Sequence, residues 1–203
     1  MTLRVGVCVS GRGTNLQAIL DACASGQLDA TVVYVGSSRK NALALERAKA
    51  AGVPAEAFPP AANGGRDAAQ QLMARRLVAA GVELVVLAGY DRILADPFWD
   101  VLGDVPVINV HPSLLPAFGG LNRLKVHEAV LAAGVTETGC TVHRAHRGML
   151  DEGEILVQRS VPVQPDDDPE TLEARVLGAE HVALVEAIAA FARRVRVAVP
   201  GAP

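Results

Sequence analysis

Leu3-Arg4-Val5-Gly6-Val7-Cys8-Val9-Ser10-Gly11-Arg12-Gly13-Thr14-Asn15-Leu16-Gln17 decides the fold class. Leu3 to Val9 is a nearly continuous apolar run, the pattern of a strand buried on both faces. It stops at Ser10-Gly11-Arg12-Gly13, and a helical period starts at once: Leu16, Ile19, Leu20 and Cys23 fall at i, i+3, i+4 and i+7. Thr14, with Gln17 three residues on, has the spacing of an N-cap in a capping box. Strand, glycine turn and helix in this order form the first half of a βαβ unit. The glycines let main chain approach a ligand, and the free N–H groups of a helix start attract an anion. The turn lacks the third glycine of a dinucleotide fingerprint and the Gly-Lys-Ser/Thr ending of a P-loop, so a monophosphate suits it better than a dinucleotide.

Outward from this unit the alternation continues. Thr31 to Val35 reads as a strand, and Asn41 to Ala51 as a helix closed by Gly52 and Pro54. A short extended piece lies between Val53 and Phe58. Arg66 to Ala80 reads as a helix stopped by Gly81, Leu84 to Ala88 as a buried strand, and Val107 to Val110 as another. Strands separated by helices imply right-handed crossovers. The expected fold class is therefore α/β: a mostly parallel twisted sheet with helices on both faces, Rossmann-like in its N-terminal half. The second half changes texture. Thr141 to His143 and Ile155 to Val163 read as strands, the latter at a sheet edge, and Glu170 to Arg194 as a long helix before a loose tail with Pro200 and Pro203.

Composition excludes several classes. Of 203 residues, 50% are hydrophobic and 20% charged, which is globular rather than disordered. A chain of this size buries about 70% of its unfolded surface, enough for one core without staples. Residues 1–203 are expected to form a single domain, with about 1–105 a phosphate-binding half and about 106–195 a catalytic half. Lys+Arg 19 against Asp+Glu 22, with no run of four or five like charges, argues against binding nucleic acid or acidic membranes. Cys8, Cys23 and Cys140 are an odd, dispersed set that suits a reducing compartment better than a disulfide framework or a zinc site. No apolar run reaches the length of a membrane span. A cytoplasmic protein, monomer or homodimer, is expected.

The second informative stretch is Ile108-Asn109-Val110-His111-Pro112-Ser113-Leu114-Leu115-Pro116. Ligands of open parallel sheets bind beyond the carboxyl ends of the strands. Asn109 and His111 are two apart on extended chain and share one face. An amide that donates to a developing oxyanion and an imidazole that moves a proton are compatible parts for acyl transfer. His127 and His143 are read as structural or supporting residues, and Cys140 as a small core residue.

Four blocks now carry a resemblance: Ser10 to Gln17, Leu87-Ala88-Gly89-Tyr90-Asp91-Arg92-Ile93-Leu94, Asn109 to Phe118, and Gly139-Cys140-Thr141-Val142-His143. In type, order and spacing they resemble the folate-dependent phosphoribosylglycinamide formyltransferases of purine biosynthesis, over about residues 3 to 192. The resemblance implies formyl transfer from 10-formyltetrahydrofolate, as co-substrate, to the amine of a glycinamide ribonucleotide, without a metal. It implies Gly13, Thr14 and Asn15 around the phosphate, Glu180 near the glycinamide and phosphate end, and catalytic roles for Asn109 and His111. The family's aspartate, which raises the pKa of that histidine, matches Asp151. Arg66, Asp91, Arg92, Ile93 and Leu94, with Asn109, would face the folate. Two departures stand out. The basic stretch from His143 to Asp151 is one residue longer than the family pattern, and Arg123-Leu124-Lys125 looks like an insertion. Three alternatives remain beside the transferase: a hydrolase of the same folate, a tRNA formyltransferase, and a non-catalytic folate or nucleotide sensor. The hydrolases carry an additional N-terminal regulatory domain, which this chain is expected to lack. The RNA-directed enzyme is disfavoured by charge and by the absence of a basic C-terminal extension.

Overall fold

A computed structural model describes residues 2–121 and 123–197; the notional insertion at Arg123-Leu124 and the tail with Pro200 and Pro203 have side chains or whole residues outside this set. Seven strands form one sheet: β1 (Leu3–Val9), β2 (Ala30–Ser37), β3 (Ala55–Ala57), β4 (Leu84–Leu87), β5 (Val107–His111), β6 (Glu137–Arg144) and β7 (Ile155–Pro162). Their order across the sheet is β3-β2-β1-β4-β5-β6-β7. The first five are parallel, and β6 and β7 are antiparallel additions at one side. β7 is the edge, as its alternating pattern predicts.

Among the described residues, six α-helices cover the sheet: α1 (Thr14–Ala24), α2 (Leu43–Ala50), α3 (Arg66–Ala79), α4 (Asp96–Leu102), α5 (Arg123–Ala132) and α6 (Pro169–Val197). Alternate strand residues face opposite layers. Val5, Val7 and Val9 pack with Leu16 and Ile19 of α1 and with Leu184 and Ile188 of α6. Cys8, Val85 and Leu87 pack on the other side with Met73 and Leu77 of α3 and Phe98 of α4. Two cores, one on each face, explain why the central strands read as unbroken apolar runs.

Two local readings need correction. Thr14 does not cap α1. Gly13 is the N-cap, in the left-handed region at φ 72°, with no side-chain cap, and Thr14 is already helical. A Cβ on Gly13 would lie 2.5 Å from Cβ of Ala44, so α2 packs where a side chain would have to go. Gln17 turns outward to Asp21 (2.8 Å) rather than back to the cap. Helix α5 has no counterpart in the sequence reading, and neither has α4. The seven residues of α4 are too few to show a period, although Asp96-Pro97 is a fair helix start.

The strand order reverses direction between β1 and β4. Such a switch point opens a crevice beyond the carboxyl ends of the two strands. The turn after β1 and Ala88-Gly89 after β4 both line an open cleft there of about 610 Å³, together with Val110, Pro112 and Glu180.

Candidate active site

His111 ends β5, and its neighbourhood is built from three directions. In the antiparallel pairing with β6, Asn109 lies opposite His143 and His111 opposite Thr141. Thr141 then anchors the segment after His111: its hydroxyl donates to Ser113 O (2.7 Å) and accepts from the Leu115 N–H (3.0 Å). Gln158 of β7 donates to the Leu115 carbonyl (2.9 Å) and to the Thr141 hydroxyl (2.9 Å). The loop from β6 to β7 brings in Asp151.

Asp151 sits 3.2 Å from Nδ1 of His111 and 3.3 Å from Nε2 of His143. It also accepts the Gly120 N–H (3.0 Å) and lies 3.4 Å from Nδ2 of Asn109. Nε2 of His111 is 3.0 Å from the Phe118 carbonyl. Phe118 and Asp151 are the two non-glycine residues with positive φ among those described, at 58° and 56°. Such a conformation costs about 1–3 kcal/mol and persists where the surroundings over-determine it. The two strained residues here are the two that supply oxygen atoms to the one imidazole. Gly153 secures the loop's return, because any Cβ there would lie 1.8 Å from the Arg144 carbonyl.

The electrostatics of His111 set two opposed effects against each other. The sequence reading has Asp151 raise its pKa. Asp151 and the Phe118 carbonyl do pull it upward, but burial pushes it down and prevails, so the net shift is below the ordinary histidine value. Burial opposes ionisation of Asp151 as well, yet His143, the Gly120 N–H and the charge of His111 outweigh it and hold the carboxyl below its usual range. Both imidazole nitrogens of His111 face acceptor oxygens. A neutral ring can satisfy only one of them, whereas the imidazolium satisfies both. The site therefore holds a neutral base whose surroundings favour the arrival of a proton.

His143 is the residue that sequence reasoning undervalued. Its Nδ1 faces the Arg144 carbonyl (3.0 Å), which assigns the proton to Nδ1. Nε2 lies 3.1 Å from Nδ2 of Asn109 and 3.3 Å from the Asp151 carboxylate. The same amide nitrogen lies 3.4 Å from Asp151, so His143 and Asp151 together fix the donor end of Asn109. Period-2 alternation along β6 from Thr141 was the available signal. His127 is buried on α5 and lines the cleft. Cys140 is a core thiol whose pKa burial pushes up to about 12, the opposite of an activated nucleophile.

The remaining predicted residues fall into two groups. Gly13, Thr14 and Asn15 line the cleft with Glu180. Asn15 donates to Glu180 (2.7 Å), and both side chains are buried. On the other side of β5's end lies the segment 89–95. The Asp91 carboxylate is committed to Ser38 (3.1 Å) and Arg39, and its N–H donates to Ser10 (2.9 Å). Its side chain therefore fastens the loop to the two residues that follow β2. Arg92 is half-exposed, with its guanidinium 4.0 Å from Asp91. Ile93 is 62% exposed, whereas Leu94 packs against the α3–α4 core. Buried Gln70 of α3 holds this loop by donating to Ile93 O (3.1 Å) and Tyr90 Oη (3.3 Å) and accepting the Ala95 N–H (2.6 Å). Arg66 opens α3 and pairs with neighbouring Asp67 (3.0 Å) at the surface, apart from the His111 cluster. Among the described residues, no group of three or more His, Cys, Asp and Glu side chains is arranged to hold a metal ion, and no helix is long and apolar enough to cross a membrane.

Comparison with known proteins adds to this geometry. A family model described as formyl transferase matches residues 3–188. The trifunctional purine biosynthetic protein adenosine-3 of Drosophila pseudoobscura pseudoobscura is 43% identical over 194 residues; the match covers 93% of this chain but only 14% of that protein. Phosphoribosylglycinamide formyltransferase of Haemophilus influenzae is 37% identical over 88% of this chain and 82% of its own length. Among solved structures, glycinamide ribonucleotide transformylase 1 from Symbiobacterium toebii superposes with a TM-score of 0.88 at 46% identity, covering 95% of this chain and 88% of that one.

Proposed function

Because the chain belongs to the formyl transferase family, we propose that it transfers the formyl group of 10-formyltetrahydrofolate to the amine of 5-phosphoribosylglycinamide in purine biosynthesis. One observation carries the reading to the level of chemistry. An amide donor, a neutral imidazole and an ionised carboxylate converge at the end of β5, beside a cleft lined by a glycine turn and a helix start.

In this reading the ribonucleotide's phosphate meets the N–H groups of Gly13, Thr14 and Asn15, whose partners inside α1 do not exist by geometry. Glu180, oriented by Asn15, faces the sugar and glycinamide end. The folate lies along residues 91–94, with Ile93 and Leu94 as an apolar wall, Arg92 beside it, and Arg66 toward its carboxylate tail. The amine then attacks the formyl carbon directly. Asn109 exchanges its long 3.4 Å contact with Asp151 for the oxygen that gains charge, a donor aimed before the reaction begins. His111 gives up the Phe118 carbonyl, takes the proton released by the amine through Nε2, and returns it to the departing folate nitrogen. Asp151 stabilises the transient imidazolium, and His143 keeps Asn109 pointed correctly. Residues 1–105 and 106–195 act as the phosphate-binding and catalytic halves of one domain in a cytoplasmic enzyme of small-molecule substrates; free thiols at Cys8, Cys23 and Cys140 support a reducing compartment.

The test is turnover of 10-formyltetrahydrofolate, followed by folate absorbance, with and without the ribonucleotide. The expected outcome is formyl loss that requires the ribonucleotide. Loss without it would identify a hydrolase. Binding of both ligands with no loss would identify a sensor.

A further inference from the structure

Two carboxylates face the cleft that would take the substrate's phosphate. Glu173 and Glu180 are seven residues apart on α6, two helical turns along one face, and both line it. Two negative charges oppose binding of an anion unless something offsets them. Glu180 accepts a hydrogen bond from the Asn15 amide (2.7 Å). Glu173 is engaged by a charge: Nη2 of Arg12 lies 3.2 Å from its Oε1. Among the described residues that line the cleft, Arg12 is the permanently cationic one. Its main chain is clamped, since its carbonyl accepts from Nε of Arg47 (2.9 Å) and the Gly11 carbonyl accepts the Ala44 N–H (3.2 Å). Its side chain leaves this fixed base with 58% of its surface exposed at the mouth of the cleft.

We propose that Arg12 is a phosphate-binding and specificity-determining residue of the ribonucleotide site, and that Glu173 is its resting counter-ion, which lowers the site's affinity for phosphorylated ligands. The inference rests on reading the cleft as that site. A phosphate monoester carries about −1.5 to −2 at pH 7 with three strong acceptor oxygens. The guanidinium fork presents five N–H donors in a geometry that fits them. With Nη2 on Glu173, the remaining edge of Arg12 is free to turn toward a phosphate held at the start of α1. While the ion pair persists, the carboxylate cancels part of the charge that the phosphate would otherwise see. The net result is a site that recognises the phosphate through main-chain N–H groups and has its strength set by the balance between Arg12 and Glu173.

A fastening role predicts something different. If the pair only tied the turn to α6, removing either partner would loosen the cleft, and both changes would weaken binding. The proposal requires opposite signs. Ribose 5-phosphate binding by calorimetry, and KM for 5-phosphoribosylglycinamide at saturating formyl donor, are to be measured for Arg12→Met and Glu173→Gln. Arg12→Met should weaken both by roughly tenfold, the scale of one charge-assisted hydrogen bond at an exposed site. The loss should fall in KM rather than kcat. Glu173→Gln should strengthen ribose 5-phosphate binding by about two- to fivefold, and added salt should shrink both effects. KM for 10-formyltetrahydrofolate should move in neither variant. Parallel weakening, or no change in either, would overturn the proposal, as would failure of the unmodified protein to bind ribose 5-phosphate. Opposite shifts in a protein that turns over no ribonucleotide would leave Arg12 a phosphate ligand and overturn the transferase reading alone.

Discussion

His111 sits between two oxygens held by strained main chain, and the position of its proton follows from opposed effects. Burial favours the neutral ring, while Asp151 and the Phe118 carbonyl favour the charged one, and burial prevails. A neutral base at working pH is what proton transfer from an amine needs. His111→Asn should lower kcat by about 10²- to 10⁴-fold, the usual scale for a positioned acid–base group, while the dissociation constant for the ribonucleotide changes little. Comparable losses in kcat and binding would contradict the role. Asp151→Asn tests the electrostatic assignment separately. Asp151 raises the proton affinity of His111, so its neutralisation should lower that affinity further. The acidic limb of kcat/KM, where rate rises as His111 loses its proton, should then move to lower pH. The plateau rate should fall because the imidazolium formed during reaction has lost its counter-ion. A limb moving to higher pH would mean that Asp151 does not act on His111 in this way. Asn109 and His111 were legible from sequence, because two-residue spacing on a strand puts side chains on one face. His143 was not, because only pairing between β5 and β6 brings it opposite Asn109.

Among the elements, the loop between β4 and α4 depends most on distant partners. Its ends and middle are held by one buried amide, Gln70, through Tyr90, Ile93 and Ala95, while Asp91 is bonded to Ser10 and Ser38. This makes residues 90–95 a rigid wall rather than a mobile connection. Gln70→Leu leaves the Ala95 N–H and the Ile93 carbonyl without their partner, at about 1–3 kcal/mol for a buried group left unsatisfied. KM for 10-formyltetrahydrofolate should rise several-fold while KM for the ribonucleotide stays within twofold, a split that steady-state kinetics reads directly. An equal rise in both constants would show general loosening instead. Nothing in the helical pattern of Arg66 to Ala79 marks Gln70 as special, since its role comes from a loop 20 to 25 residues away. The same holds at the first turn, where Thr14 has a capping sequence but Gly13 takes the cap, because α2 packs against it.

Across the whole molecule, the switch point between β1 and β4 places the cleft, and the antiparallel pair β6–β7 closes the catalytic side. The buried ionisable groups then tie stability to pH. His111 has a lowered pKa in the folded state, so the unfolded chain binds protons first as pH falls below about 6.5. Asp151 has a depressed pKa, so its contribution is present above the unfolded carboxyl value near 3.9 and is lost as pH falls through its folded value. Both effects have the same sign. The melting temperature should decline on acidification below about pH 6.5, and His111→Gln should flatten the first part of that decline. An unchanged slope in that variant would remove His111 from the linkage. The sequence alone determined the alternation of buried strands and helices, the glycine turn that opens α1 and the shared face of Asn109 and His111. Side-chain period, turn chemistry and strand geometry act over a few residues, so they can be read from a short window. Tertiary structure alone decided how His143 meets Asn109 and Asp151, that burial outweighs Asp151 in setting the proton affinity of His111, and that Arg12 meets Glu173. Strand pairing, desolvation and charge pairing depend on every atom nearby, and those atoms come from segments up to 161 residues apart in the chain.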